Sequence, residues 1–192
     1  MKYGFDLDDT LTDTASVINK YAIKFDREYL KENGDLKDIN DSKSYYYFAE
    51  GLNWNKENIA KFFEIYYLEI LKEIQIKPFV KETINQLKKE ENEVYIITAR
   101  RKREGEIVEE ITKQWLKNNG ILYDDLFINI KEKSKIVNQL KIDIFIDDSY
   151  ENCIDVKTNT DAKVYMLNTK YNTGILDMQL ERINNIGELI SK

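Results

Sequence analysis

Phe5-Asp6-Leu7-Asp8-Asp9-Thr10-Leu11 decides how this chain is read. A short apolar run containing Tyr3 and Phe5 climbs into three carboxylates within four positions, followed at once by a hydroxyl. A buried strand does not end in that much negative charge without a partner, because an unpaired buried carboxylate costs several kcal/mol. A divalent cation with oxygen ligands, such as Mg2+, is the simplest partner. Asp6 and Asp8 stand two apart, so a continuing strand points both the same way, and a turn from Leu7 also brings them round one ion. The bland competitor is an Asp-rich turn or a helix N-cap at Asp9 or Thr10.

Downstream, Val17, Ile18, Tyr21, Ala22, Phe25, Tyr29 and Leu30 recur at helical spacing, predicting a helix over Thr14–Leu30. A polar loop follows over 31–41. After Tyr45-Tyr46-Tyr47-Phe48, Leu52 and Trp54, a second helix is predicted over 55–73. Residues 14–76 thus read as a helical, aromatic insert directly behind the acidic turn. Most of its aromatics belong to a small helical core. Tyr47, Phe48 and Trp54 sit between helices and are the candidates for a substrate-facing lid.

Beyond Pro78 the rhythm changes. A helix from Phe79 to Lys89 starts where proline is tolerated, followed by the strand Val94–Ile97 ending at Thr98-Ala99-Arg100. A helix over 104–119 closes at Gly120. Then come strand 126–128, helix 134–140, strand 142–146 ending in Asp147-Asp148-Ser149, a helical turn over 151–156, strand 164–167 and a closing helix over 183–190. Short, continuously apolar strands alternating with helices predict an α/β fold, a Rossmann-like parallel sheet with helices on both faces. Residues 1–13 and 77–192 form the core and 14–76 a helical cap. In such sheets ligands bind beyond the carboxyl ends of the strands. Charged or hydroxyl groups stand there after four strands: Asp6 and Asp8, Thr98 and Arg100, the lysines between 131 and 135, and Asp147 and Asp148.

Composition narrows the chemistry. The 192 residues contain no histidine, which removes His-based triads, zinc ligands and general bases. The single cysteine, Cys153, forms no internal disulfide and reads as a small buried hydrophobe. With a net charge of -6 and scattered bases, no basic stripe suits polymeric nucleic acid. No signal-peptide pattern and no membrane-length apolar run is present, so the expected location is cytoplasmic and no membrane partner is expected. The basic run Arg100-Arg101-Lys102-Arg103 is either a solvated face or a steering patch for an anionic substrate.

The assembled inventory suits phosphoryl transfer. Asp6, Asp147 and Asp148 are candidate Mg2+ ligands, with the Asp8 backbone carbonyl. Thr98, the Ala99 backbone, Arg100 and a lysine surround a tetrahedral anion. Asp6 is the candidate nucleophile and Asp8 the candidate acid and base. No Walker A loop is present.

These motifs resemble those of the haloacid dehalogenase superfamily of phosphohydrolases: Asp6-Leu7-Asp8-Asp9-Thr10, then Thr98 after its strand, then Asp147-Asp148 after theirs. The resemblance implies a lysine touching both phosphate and nucleophile. Lys131, Lys133 and Lys135 compete, and Lys133 is favoured because it opens the helix leading to the Asp147 strand. Asp148 is expected to help orient that lysine. The order of motifs and the insert between the first two resemble a C1-type cap. Ile97-Thr98-Ala99-Arg100, Gln114-Trp115-Leu116, Phe145–Ser149 and Tyr171-Asn172 are similar to the 5'(3')-deoxyribonucleotidase branch and its bacterial relatives. That implies a small phosphomonoester substrate, most specifically a nucleoside monophosphate, with cap aromatics against the base. A sugar-phosphate phosphatase and a non-catalytic phospholigand- or protein-binding domain are the alternatives. A receiver-like domain needs no such insert, and a dehalogenase needs neither Asp8 nor the metal cluster. The oligomeric state is open, a homodimer included.

Overall fold

A computed structural model describes residues 1–43, 46–101 and 107–190. Six strands form one parallel sheet in the order β5-β4-β1-β6-β7-β8, where β1 is Lys2–Phe5, β4 Glu93–Thr98, β5 Asp125–Ile128, β6 Ile144–Asp147, β7 Lys163–Leu167 and β8 Glu181–Ile183. The chain leaves the central strand β1 for one side of the sheet and later returns to the other. That reversal opens a crevice at the carboxyl ends of β1, β4 and β6. Register makes the crevice specific: Phe5 pairs with Ile96 on one side and with Ile146 on the other. Asp6, one residue further, therefore lies beside Asp147.

Alternate strand residues feed two cores, as the period of a strand requires. Phe5, Val94, Ile96, Ile146 and Tyr165 pack on one face, while Tyr95, Ile97, Phe145, Val164 and Met166 pack on the other. The second face is covered by α6 (Lys133–Leu140) and α7 (Tyr150–Asn159), which contribute Val137, Cys153 and Val156. Gly4 is closely packed against the second face. A Cβ there would stand 3.1 Å from Phe145 and 3.3 Å from Ile142.

The insert leaves and rejoins the core through an unanticipated two-stranded antiparallel ribbon, β2 (Thr12–Asp13) with β3 (Gln75–Ile76). Asp13 caps the helix α1 (Thr14–Phe25) by accepting from the Ser16 amide. The expected continuation to Leu30 is a widened π turn over Asp26–Leu30, ended by Lys31 in the left-handed region (φ 62°). The short α2 (Tyr47–Gly51) and the long α3 (Lys56–Glu73) complete the insert, with Asn55 capping α3 through its side chain. Tyr45 and the expected helix start at Glu104 lie outside the described residues, and α5 is described over Ile107–Asn118. α4 spans Val80–Lys89, one residue short of the expectation because Phe79 takes a left-handed conformation (φ 66°).

The expected C-terminal helix is a correction. Ile183 ends strand β8, paired with Leu167, and among the described residues only a single 3-10 turn over Ile186–Leu189 follows. Asn184, Asn185 and Gly187 oppose a longer helix, and the open sheet edge beside β7 offers backbone partners instead. No helix among the described residues is long and apolar enough to cross a membrane.

Phe25, Phe48, Trp54 and Phe62 form a ring cluster inside the insert, with centroids between 5.1 and 5.9 Å apart. Asp26 anchors it from beneath, accepting from Trp54 Nε1 at 2.7 Å and from the Gly34 amide at 2.8 Å. Phe62 is fully buried there. Phe62→Ala is expected to lower stability by about 3–5 kcal/mol. Urea denaturation followed by circular dichroism checks this, and a loss below about 1 kcal/mol would contradict a packed insert core.

Candidate active site

Asp6 continues β1 by donating its amide to the Ile146 carbonyl at 2.9 Å. The chain then turns back, with the amides of Leu11 and Thr12 both donating to the Leu7 carbonyl. Asp9 makes that turn possible in a left-handed conformation (φ 59°), which Asp tolerates better than most residues. Its Oδ1 accepts from the Ala15 amide at 2.7 Å, and Lys77 donates to its carbonyl oxygen. Asp9 thus serves the turn.

Lys133 is the lysine that reaches the centre. It is 1% exposed, and its Nζ donates to Asp6 Oδ1 and, at 2.6 Å, to Asp147 Oδ2. Its place is set by α6, whose first turn is tied to α7 by Ser134 Oγ donating to Asp155 at 3.0 Å. Lys131 lines the cavity at an exposed position, and Lys135 pairs outward with Glu132 at 2.6 Å. Burial alone would lower the Lys133 ammonium's pKa, but Asp147 and Asp6 outweigh it and hold it raised.

The two consecutive acids at the end of β6 have different partners. Asp147 accepts from Lys133, from the Ser149 amide at 2.8 Å and from Asn152 Nδ2 at 3.1 and 3.2 Å. Asp148 accepts from Thr10 Oγ1 at 2.8 Å and from the Tyr171 hydroxyl. The lysine is therefore oriented by Asp147 and Asp6, not by Asp148 as expected. Asp148 turns away from it toward two hydroxyls.

One oxygen each from Asp6, Asp147 and Asp148 lies within 4.8 Å of the others, all three residues being buried. Burial pushes the Asp6 carboxyl well up despite the adjacent Lys133, and pushes Asp148 up to about 7. One ammonium among three buried carboxylates leaves negative charge uncompensated, so the donor set fits a hard, oxygen-preferring divalent cation.

Asp8 stands apart from this cluster. Arg100 grips it with a fork, Nε to Oδ2 at 2.9 Å and Nη2 to Oδ1 at 2.8 Å, and Thr14 Oγ1 donates to Oδ1 at 2.8 Å. Burial would raise the Asp8 carboxyl, but Arg100 and Thr14 outweigh it and hold it below the usual range. Arg100 is braced by Nη1 donating to Thr112 Oγ1 on α5 at 3.0 Å. Thr98 and Ala99 complete the floor beside it, and Thr98 Oγ1 accepts from the Arg100 amide at 3.2 Å. Lys102 and Arg103 of the expected steering run lie outside the described residues.

A cavity of about 310 Å³ opens over these groups. Asp6, Asp8, Thr98, Ala99, Arg100, Asp147 and Asp148 form its floor, and Tyr46, Phe63 and Tyr67 of the insert form its wall. Arg101 joins the two by donating to the Tyr46 hydroxyl at 3.1 Å. The lid residues named from sequence do not line it. Phe48 is fully buried in the insert core, Trp54 turns its indole to Asp26, and Tyr47 stacks on Tyr171 beneath the insert. Sequence reasoning overlooked Phe63 and Tyr67, although their four-residue spacing puts them on one helix face. It also overlooked Asn152, whose signal was its place in the first turn after the Asp pair.

Comparison with known proteins bears on this geometry. Residues 4–123 match the family model described as haloacid dehalogenase-like hydrolase. A protein of Clostridium acetobutylicum named a nucleotidase is 30% identical over 96% of this chain and 88% of its own length. A Bacillus cereus relative, provisionally named a nucleotidase, is 28% identical over the whole chain and 99% of its own. Among solved structures, a haloacid dehalogenase-like hydrolase of Streptococcus pneumoniae superposes with a TM-score of 0.68. It covers 99% of this chain and 96% of its own at 16% identity, which speaks for the fold alone. With its parallel sheet, inserted helices and carboxylates gathered at the strand ends, the chain belongs to the haloacid dehalogenase-like hydrolase family and is a phosphohydrolase.

Proposed function

We propose that this enzyme hydrolyses small phosphomonoesters with Mg2+, through an aspartyl-phosphate on Asp6, and that its substrates are nucleoside monophosphates. The reading follows the 5'-nucleotidase and 5'(3')-deoxyribonucleotidase pattern, with residues 14–76 acting as the cap. The observation that carries it is one cavity with Asp6, backed by the buried Lys133, at its base and Tyr46, Phe63 and Tyr67 opposite. Aromatic faces suit a planar base, and the names of the bacterial relatives point the same way.

Asp6, Asp147 and Asp148 would hold Mg2+, with the Asp8 carbonyl. When bound, the ion neutralises phosphate oxygens and so eases attack by an anion. Asp6 then attacks phosphorus, and the P–O bond to the departing alcohol breaks. Lys133 balances charge on Asp6 and the phosphoryl oxygens. Thr98 and the Ala99 backbone cradle the remaining oxygens. Asp8, once it has taken up a proton from solvent, delivers it to the departing oxygen and later takes one from the water that hydrolyses the aspartyl-phosphate. In the geometry above, the Arg100 fork holds Asp8 ionised, the form needed for the second step. Arg100 also borders the phosphate, so a bound phosphoryl group competes for the fork and frees Asp8 to carry a proton.

Two measurements test this. Phosphate release should require Mg2+, disappear in Asp6→Asn, and favour nucleoside monophosphates over sugar phosphates. Phe63→Ala and Tyr67→Ala should each raise KM for nucleotides by about 5- to 150-fold, given roughly 1–3 kcal/mol per stacked base, and leave p-nitrophenyl phosphate turnover nearly unchanged. Equal losses on both substrates would remove the base-platform reading.

The second uses Asp9 and Asp148, both pushed up to about 7 by burial from an ordinary value of 3.8. Between those values the folded chain keeps protons that the unfolded chain has lost. Without metal, stability therefore falls as pH rises through this window. Mg2+ favours the ionised carboxylates, so the gain in Tm on replacing chelator with Mg2+ should grow from about pH 5 to about pH 8. A gain that is flat, or larger at the acid end, would refute the placement of the ion.

A further inference from the structure

Tyr171 touches both halves of the molecule at once. It lies in the turn after β7, is 3% exposed, and donates its hydroxyl to Asp148, with Asp9 Oδ2 a further 3.5 Å contact. Its ring lies flat on that of Tyr47, with centroids 4.3 Å apart and planes within 4°. Its carbonyl accepts from the Ser42 amide at 2.9 Å, and the nearby Gly174 amide donates to the Asn40 carbonyl. Asn40, Ser42 and Tyr47 of the insert are thus fastened to the core through one turn, whose central side chain ends on a carboxylate of the acidic cluster.

That turn is itself rigidly framed. Asn172 Nδ2 donates to the carbonyls of Asp148 and Leu167 at 2.8 and 2.9 Å. Arg182, from β8, donates to the Asn172 carbonyl and Oδ1 at 2.9 and 2.8 Å. The backbone directly after Tyr171 is therefore held, and its ring is left to register Tyr47. Asp148 is oriented by two hydroxyls, Thr10 from the core turn and Tyr171 from beneath the insert. Movement of the Tyr47 ring changes the support of the Tyr171 ring and so the aim of one Asp148 oxygen.

We propose that Tyr171 is a positioning residue that links seating of the α2 segment on the core to cation binding at the carboxylates. By thermodynamic reciprocity, whatever the cation does to α2, α2 does to the affinity for the cation. The proposal rests on the metal reading of Asp6, Asp147 and Asp148, and the test separates the two.

Mg2+ affinity is measured by calorimetry, and backbone amide exchange in 46–51 is followed with and without Mg2+. The full-length wild type is compared with Tyr171→Phe, Tyr47→Leu and Asp147→Asn. Tyr171→Phe keeps the stack and loses the hydroxyl. It should bind Mg2+ about tenfold more weakly and lose the slowing of exchange in 46–51 that Mg2+ gives the wild type. Tyr47→Leu alters a side chain whose hydroxyl makes no hydrogen bond to the carboxylates, and should also weaken Mg2+ binding, by about 5-fold. A merely structural Tyr47 would leave that affinity alone. Wild-type binding that Asp147→Asn removes, but that neither tyrosine variant alters, would overturn the coupling and leave the metal site standing. Absence of Mg2+ binding to the wild type would overturn both.

Discussion

The buried ammonium of Lys133, held between Asp6 and Asp147, is the constraint on which the site depends. Neither partner tolerates burial alone. A lone buried charge costs several kcal/mol even after relaxation, and breaking such a pair is more damaging than never having built it. The two carboxylates come from strands separated by most of the sequence and made neighbours by register, since Phe5 pairs with Ile146. The lysine arrives from a third element, α6, whose first turn is pinned to α7 through Ser134 and Asp155. A slip of one residue in β1 against β6 would turn Asp6 into the apolar core. The ion triad therefore selects one register among those the apolar strands would otherwise permit.

The wall opposite Asp6 is built by a different economy. Phe62 and Phe63 are consecutive on α3, so they point about 100° apart. Phe62 joins Phe25, Phe48 and Trp54 in the insert's own core, while Phe63 and Tyr67 face the cavity. The same helix thereby holds the insert together and supplies its active face. Phe63 also packs against Phe48 and Phe62, with centroids 5.9 and 5.1 Å apart, so the wall is seated directly on the insert core.

The strand-end chemistry was legible because it breaks a local rule. Asp6, Thr98 and Asp147 each interrupt a short apolar run where a parallel sheet ends, and sequence alone marks such interruptions. The choice among Lys131, Lys133 and Lys135 was legible from the start of a helix, although alternation by two offered no preference. The aromatic wall was not legible. In Tyr45-Tyr46-Tyr47-Phe48 the outward ring is decided by the register of a five-residue helix that hydropathy cannot set. The C-terminal segment misled for a related reason. Ile183, Ile186 and Ile190 have helical spacing, yet the unpaired edge of β7 is a stronger claim on Ile183 than a weak local helix preference.

Asp147 and Asp148 show why two adjacent acids are kept where one would coordinate an ion. Asp147 is matched by a full positive charge on Lys133. Asp148 is hydrogen-bonded by the hydroxyls of Thr10 and Tyr171, which fix its direction without cancelling its charge. A lysine or arginine in place of either hydroxyl would set a full positive charge beside Asp148. It would also remove the negative charge that attracts a divalent cation. Neutral donors leave the fold carrying that uncompensated charge, and Asp148's tendency to hold a proton near pH 7 is its expression. The site's appetite for a cation and its strain without one are therefore the same electrostatic quantity, placed at Asp148 by partners that orient but do not neutralise.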